Sequence, residues 1–154
     1  MIFYFLQIKM IKKITYLETF SVRHLVLRVG KPIETCFFED DDSDSTVHFG
    51  YFENEILVGV VSLFKNKNII FDATNPFQIR GMAVLENHRK NGIRELLIKK
   101  CEVYVTENLG DLIWFNARVI AVKFYEKLGY TAIGNSFDIS DIGKHFIMSK
   151  TVCR

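Results

Sequence analysis

The segment Asn116-Ala-Arg-Val-Ile-Ala-Val-Lys-Phe-Tyr-Glu-Lys-Leu-Gly-Tyr130 follows a short, wholly apolar run, Leu112-Ile-Trp-Phe115. The apolar run reads as a buried strand, and Arg118 to Leu128 as a helix stopped by Gly129. Upstream lies Ile79-Arg-Gly-Met-Ala-Val-Leu-Glu-Asn-His-Arg-Lys-Asn-Gly-Ile-Arg-Glu-Leu-Leu-Ile98. Here Phe77 to Leu85 is a strand with Gly81 inside it, a placement that marks a bulge or a close backbone approach. From Lys90 to about Glu107 the period becomes helical. Ile93, Leu96, Leu97, Cys101 and Tyr104 share one face, and Glu95, Lys99 and Glu102 point away.

Working outward, Leu17 to Val29 is expected to be a first helix, closed by Gly30 and Pro32. Glu39-Asp-Asp-Asp-Ser-Asp-Ser45 reads as a loop. Val47 to Phe52 and Ile56 to Phe64 read as a hairpin turning at Asn54-Glu55, and Asn75-Pro76 breaks the chain again. Tyr130 to Ile133 and Lys144 to Lys150 read as a last pair of strands. The order is helix, hairpin, strand, helix, strand, helix, two strands, without repeat or linker. It gives one α/β domain (α+β in some schemes) with a mixed sheet. Residues 1–9 are expected to be an extra leader or an edge strand, and 10–154 the single domain. Met10 is a second candidate start.

Composition excludes several classes. The chain has 154 residues, 49% of them hydrophobic, and twenty Lys+Arg against eighteen Asp+Glu. A net charge of +2 offers no global excess for a polyanion or an anionic lipid surface, so neither nucleic acid nor membrane is an expected partner. The apolar content is too high for a disordered chain. Cys36, Cys101 and Cys153 show no C-x-x-C spacing, which argues for reduced thiols in a cytoplasmic protein and against a zinc site. The spacing Asp40-x-Asp42-x-Asp44 resembles a calcium loop, but Ser45 stands where Gly is required and Tyr51 where Glu is required. No metal is expected. The acidic run reads as a solvated loop, with attraction of a cationic substrate as the weaker alternative.

The turn Arg89-Lys-Asn-Gly92 places a glycine and two cations where a strand enters a helix. Such a helix start suits an anion, most often phosphate, and equally fits an ordinary turn with surface bases. It is neither G-x-x-x-x-G-K-[ST] nor G-x-G-x-x-G. It does resemble the acyl-CoA motif R/Q-x-x-G-x-G/A of the GNAT superfamily of N-acetyltransferases, preceded by Ala83-Val84. Arg94 stands where that motif has Gly or Ala. Ala121 to Tyr130 resembles the second GNAT signature, A-x-x-F-Y-E-K-x-G-F/Y. The strong match covers residues 79 to 130, about a third of the chain.

The resemblance implies a GNAT-like, mostly antiparallel sheet flanked by helices on both faces. It also implies acetyl-CoA as acyl donor and a small-molecule or peptide amine as acceptor, attacked directly in a ternary complex. Met82, Ala83 and Val84 would pair with the pantetheine arm and polarise the acetyl carbonyl. Arg89, Lys90, Asn91, Gly92, Ile93 and Arg94 would cradle the pyrophosphate. Asn116 would bond the pantetheine arm or cap the following helix. Tyr125 is the expected general acid, because a phenol near pKa 10 can protonate a thiolate whose thiol has a pKa of about 8.5. His145, and less so His48, are candidate bases. Gln78 and Arg80 occupy strand positions where a carboxylate base would otherwise be sought. Cys101 reads as core. A homodimer is compatible with the resemblance, and so is a non-catalytic acyl-CoA-binding module on the same fold.

Overall fold

The structure is a computed structural model that describes residues 8–152. Of the leader or edge strand expected over residues 1–9, residues 1–7 lie outside the described residues, as does Cys153, while Lys9 opens the first strand. Seven strands form one mixed, mostly antiparallel sheet. They are β1 (Lys9–Ile14), β2 (Val47–Glu53), β3 (Ile56–Lys65), β4 (Pro76–Val84), β5 (Leu112–Arg118), β6 (Thr131–Ile139) and β7 (Gly143–Thr151). Their order in the sheet is β1-β2-β3-β4-β5-β7-β6. Among the described residues there are three α-helices: α1 (Tyr16–Val26), α2 (Ile93–Glu107) and α3 (Val122–Lys127). None of the described helices is long and apolar enough to cross a membrane.

Two compact units partition these elements, residues 8–62 with 81–100 and residues 63–80 with 101–152. In the first unit β1 pairs antiparallel with β2, Ile11 opposite Tyr51. The β2–β3 hairpin turns through Asn54 (φ +49°) and Glu55 (φ +69°). Two successive left-handed residues are the signature of the tight turn that matches strand twist. Helix α1 starts one residue earlier than the apolar pattern indicated. The Thr15 side chain accepts from the Glu18 N–H, and the Glu18 carboxylate accepts from the Thr15 N–H at 3.0 Å. Val22 packs with Val60 and Ala83 inside a surround of Ile14, Val26, Leu27, Leu57 and Leu85.

Helix α2 begins at Ile93 rather than Lys90, because Lys90 (φ +66°) and Gly92 (φ +75°) are left-handed and cannot belong to a right-handed helix. Its buried stripe is Ile93, Leu97, Ile98, Cys101 and Val105, and Leu96, expected inside, is exposed. A Cβ added to Gly59 of β3 would lie 3.0 Å from Ile93 Cγ2 and 3.3 Å from Leu97 Cδ1, so the strand accepts the helix closely only as glycine.

The first unit also holds a buried polar network that the acidic run concealed. Arg23 is completely buried and grips Asp41 through Nη1 (2.5 Å) and Nη2 (3.1 Å). Nη1 also donates to the Cys36 carbonyl (2.8 Å) and Nη2 to Ser62 Oγ (2.8 Å). The Asp41 carboxylate further accepts from the Phe38 N–H at 2.8 Å. Ser62 Oγ lies 2.6 Å from His48 Nδ1, and His48 Nε2 lies 2.9 Å from the Asp41 carbonyl. A carbonyl only accepts, so Nε2 carries the proton and Nδ1 accepts from the serine hydroxyl. The expected solvated loop is thus exposed at Glu39, Asp40, Asp42 and Asp44 but anchored inward at Asp41.

In the second unit β4 runs parallel to β5 over Pro76–Gln78 against Leu112–Trp114, while β5 and β6 each pair antiparallel with β7. Pro76 opens β4, the strand position that tolerates a missing N–H. Residues 118–128 are not one helix. Arg118 ends β5, Val119–Ala121 form a 3₁₀ turn, and only Val122–Lys127 are α-helical. Lys150 Nζ joins the Glu102 carboxylate (2.8 Å) and the Leu128 carbonyl (2.9 Å).

Two expectations follow. Thr15→Ala removes half of the reciprocal cap and should lower unfolding free energy by about 1 kcal/mol in urea titration. Burial lowers the His48 pKa below its ordinary 6.5, against a raising effect from Asp41. The unfolded chain therefore takes up that proton at a higher pH than the folded one. The contribution of neutral His48 is complete above 6.5 and is lost as the pH falls from there towards the folded value. Thermal midpoints should drop as the pH falls below about 6.5, and less steeply in His48→Gln. Equal slopes would exclude His48 as the source.

Candidate active site

The first unit carries the strand–turn–helix segment. Ala83 and Val84 are buried, and Met82 is half-buried. After Val84 the chain is fixed by the Leu85 N–H on the Val58 carbonyl (2.9 Å) and by a 3₁₀ turn over Glu86–His88. His88 Nδ1 lies 2.9 Å from Glu53 Oε2. Arg89 Nε folds back on the Val84 carbonyl at 3.3 Å. Arg89, Lys90, Asn91 and Gly92 are all exposed. The left-handed φ at Gly92 explains why glycine stands there. An added Cβ would meet nothing within 4 Å, so the space beside the turn is open.

Helix α2 starts at this opening. Its first backbone bond to the turn is the Leu96 N–H on the Gly92 carbonyl (3.2 Å), and the N–H groups of Ile93, Arg94 and Glu95 precede any intrahelical acceptor. The Ile93 side chain is buried, whereas Arg94 is exposed. Glu95 is the one acidic side chain in this first turn, and Lys99 pairs with it at 3.0 Å. Backbone donors, the positive end of a helix and the cations Arg89, Lys90 and Arg94 suit a diphosphate of the kind coenzyme A carries.

The second unit carries the other expected residues. Asn116 lies within β5 opposite Ile147, exposed between buried Phe115 and Ala117. It is therefore not the cap of the following helix, since β5 continues to Arg118. Tyr125 is 8% exposed, with its ring 4.5 Å from that of Phe115 and 5.1 Å from that of Phe124. The Tyr125 carbonyl accepts from the Leu128 N–H (3.0 Å) and the Tyr130 N–H (3.1 Å), fixing the turn that Gly129 closes. Tyr130 is buried and its hydroxyl has no partner. Burial, then Glu102, Cys101 and Tyr125, push that phenol far up, so Tyr130 stays protonated and sealed from solvent.

His145 lies on β7 opposite Arg118 and is buried. Its Nδ1 donates to the Gly143 carbonyl at 2.7 Å, which leaves Nε2 as the acceptor of the neutral ring. His48, by contrast, has both ring nitrogens engaged inside the first unit. Gln78 is buried with Oε1 accepting from Asn66 Nδ2 (2.8 Å), and the Arg80 guanidinium lies 5.2 Å from the Phe64 ring. Cys101 is fully buried in α2 and its thiol is pushed up by that burial, as befits a core residue. The Arg23–Asp41 pair escaped the sequence reading. Its one legible sign was an arginine on the face of α1 that also carries Thr19, Val22 and Val26.

Comparison with known proteins bears on the family and the fold. The family described as "Acetyltransferase (GNAT) domain" matches residues 32–152. The uncharacterized N-acetyltransferase YitI of Bacillus subtilis is 32% identical over 142 residues, covering 92% of this chain and 95% of its own. Ard1 from Thermoplasma volcanium superposes with a TM-score of 0.76 at 17% identity, over 95% of this chain and 99% of its own. An aminoglycoside 6'-N-acetyltransferase complexed with coenzyme A gives 0.74 at 16% identity, over 94% and 98%. The match over residues 32–152 and the full-length likeness to a curated relative establish that this chain belongs to the GNAT family and is an N-acetyltransferase.

Proposed function

We propose that the chain transfers the acetyl group of acetyl-CoA to a primary amine, of a small molecule or a peptide, by direct attack in a ternary complex. The observation that carries this reading is the open turn at Gly92, with the exposed cations Arg89, Lys90 and Arg94 beside the start of α2. These are the residues that would hold the diphosphate of the donor. The ladder of β4 with β5 ends at Gln78, so the main chain from Ile79 onward suits pairing with the pantetheine arm, with Met82, Ala83 and Val84 the contact residues. Asn116, exposed on β5, is suited to bond the same arm.

In this mechanism an N–H of the Met82–Val84 stretch polarises the acetyl carbonyl. The neutral amine adds to the carbonyl carbon and gives up its proton, for which Nε2 of His145 is the candidate acceptor. The tetrahedral adduct collapses, the C–S bond breaks, and the CoA thiolate takes a proton from the Tyr125 phenol. The pKa order of thiol and phenol allows that last step at neutral pH. A cytoplasmic setting and a homodimer are compatible with the reading. No step calls for a metal.

Arg94, in the place of a small residue, favours one alternative, a module that binds acyl-CoA without turnover. Thermal-shift titration with acetyl-CoA and CoA, followed by a thiol-release screen over amines, separates the two. Stabilisation by both ligands and release with at least one amine is expected. Stabilisation without release by any amine would select the binding module, and no stabilisation would exclude both.

Tyr125→Phe should lower kcat by ~10²-fold with CoA affinity unchanged. An unaltered kcat would remove Tyr125 from the mechanism. Because Arg94 is exposed at the helix start, Arg94→Gly should weaken CoA binding several-fold and flatten its salt dependence. Tighter binding would mean that the side chain crowds the diphosphate.

A further inference from the structure

The buried guanidinium of Arg23 does more than neutralise Asp41. It lies against Gly81, the left-handed residue (φ +66°) that interrupts β4 immediately before Met82, Ala83 and Val84. A Cβ added to Gly81 would come within 3.2 Å of Arg23 Nε, 3.4 Å of Arg23 Nη2 and 3.0 Å of Phe38 Cε2. The Phe38 ring covers one side of the guanidinium, its centroid 4.0 Å from Arg23 Cζ. Nη1 and Nη2 are committed to Asp41, Cys36 and Ser62. Nε is buried without a partner. An arginine serving only as counter-ion would leave its remaining donor towards water or a carbonyl. This one turns its Nε edge to the α-carbon where β4 leaves the extended conformation.

We propose that Arg23, locked by Asp41, is a positioning residue for acetyl transfer. It acts through Gly81, holding the β4 kink so that the Met82–Val84 N–H groups are aimed at the acetyl carbonyl. The proposal rests on the acetyl-CoA reading above. Four groups converge on the guanidinium, the Cys36 carbonyl, the Asp41 carboxylate and the Phe38 ring of one loop and Ser62 of β3, so its place is over-determined. The φ of Gly81 and the lack of a side chain there are the two conditions for the guanidinium to approach the strand. The charge of the pair itself is not required for that role, but the rigid fork is.

The test uses a variant that keeps the interior free of an unpaired charge. In Arg23→Met/Asp41→Leu both ions go together, a replacement that buried pairs commonly tolerate. Backbone amide shifts are recorded for wild type and variant with CoA and with acetyl-CoA, and kcat is measured with the best amine of the screen. In the wild type the amides of residues 91–95 should respond to both ligands, and those of residues 81–84 should add a response to the acetyl group. In the folded double variant the 91–95 response should persist while the acetyl-specific response fades. Its kcat should fall by up to ~10²-fold with little change in KM for acetyl-CoA, the scale of a misplaced reacting group. An unchanged kcat and acetyl-specific response would overturn the proposal and leave the acetyl-CoA reading intact. Should the double variant not fold, Arg23→Lys carries the same test, since it keeps the charge and loses the fork. A wild type whose 91–95 amides ignore both ligands would overturn the acetyl-CoA reading and this proposal with it.

Discussion

A helix that offers its first N–H groups to a ligand cannot use them to cap itself, so its first turn must be held from the other side. In the proposed function that constraint falls on α2. The contrast with α1 is direct: Thr15 and Glu18 close the start of α1 reciprocally, whereas Gly92 precedes α2 and has no side chain to offer. Rigidity at α2 comes from below, through Ile93 and Leu97 set on β3 at Gly59. A side chain at Gly59 would press on Ile93 Cγ2 and Leu97 Cδ1, which would have to give by a few tenths of an ångström. The ion pair of Glu95 with Lys99 removes the one acidic side chain of that turn from competition with an anion.

The same economy of residues governs β4. Its first residues, Pro76–Gln78, are tied into the parallel ladder with β5, and Gly81 then breaks the regular strand. A strand that paired fully on both sides would have no N–H groups left for a ligand. The proposed donor contact therefore suits a strand whose ladder with β5 stops part-way, as that of β4 does after Gln78. The buried guanidinium of Arg23 lies beside Gly81, where the proposed positioning role places it.

How much of this was legible in the sequence depended on how local the cause was. The Asn54-Glu55 turn, the irregular Gly81 and the Arg89–Gly92 turn are decided by a few neighbouring residues, and each lies where its local chemistry indicates. Helix bounds were less legible. Nothing in the spacing of residues 118–128 reveals that β5 runs on to Arg118, because that extension depends on pairing with β7. Leu96 and Ile98 exchange places relative to the expected stripe, since both lie at its margins and only packing decides which is covered. Asp41 was invisible among its acidic neighbours, and its partner is 18 residues away. Of the site residues, the turn was readable from composition and order, whereas the hydrogen bonds that fix the tautomers of His48 and His145 come only from the fold.

Two tyrosines of the second unit illustrate why chemistry follows environment rather than residue type. Tyr125 and Tyr130 share the Phe115 ring, at 4.5 and 5.0 Å. Tyr130 is 2% exposed, its hydroxyl has no partner, and its phenolate is strongly disfavoured by burial and by Glu102. A group that must donate a proton in each cycle has to regain it from solvent or from a proton-bearing neighbour, which Tyr130 lacks. Its ring is better understood as packing: Lys150 Nζ lies 5.5 Å above it and reaches the Glu102 carboxylate and the Leu128 carbonyl beside it. Holding the Leu128–Tyr130 turn in this way also fixes the carbonyl of Tyr125, which accepts from both ends of that turn. Of the two phenols, Tyr130 thus serves to set the backbone on which Tyr125 is carried, which leaves Tyr125 as the phenol proposed for proton transfer.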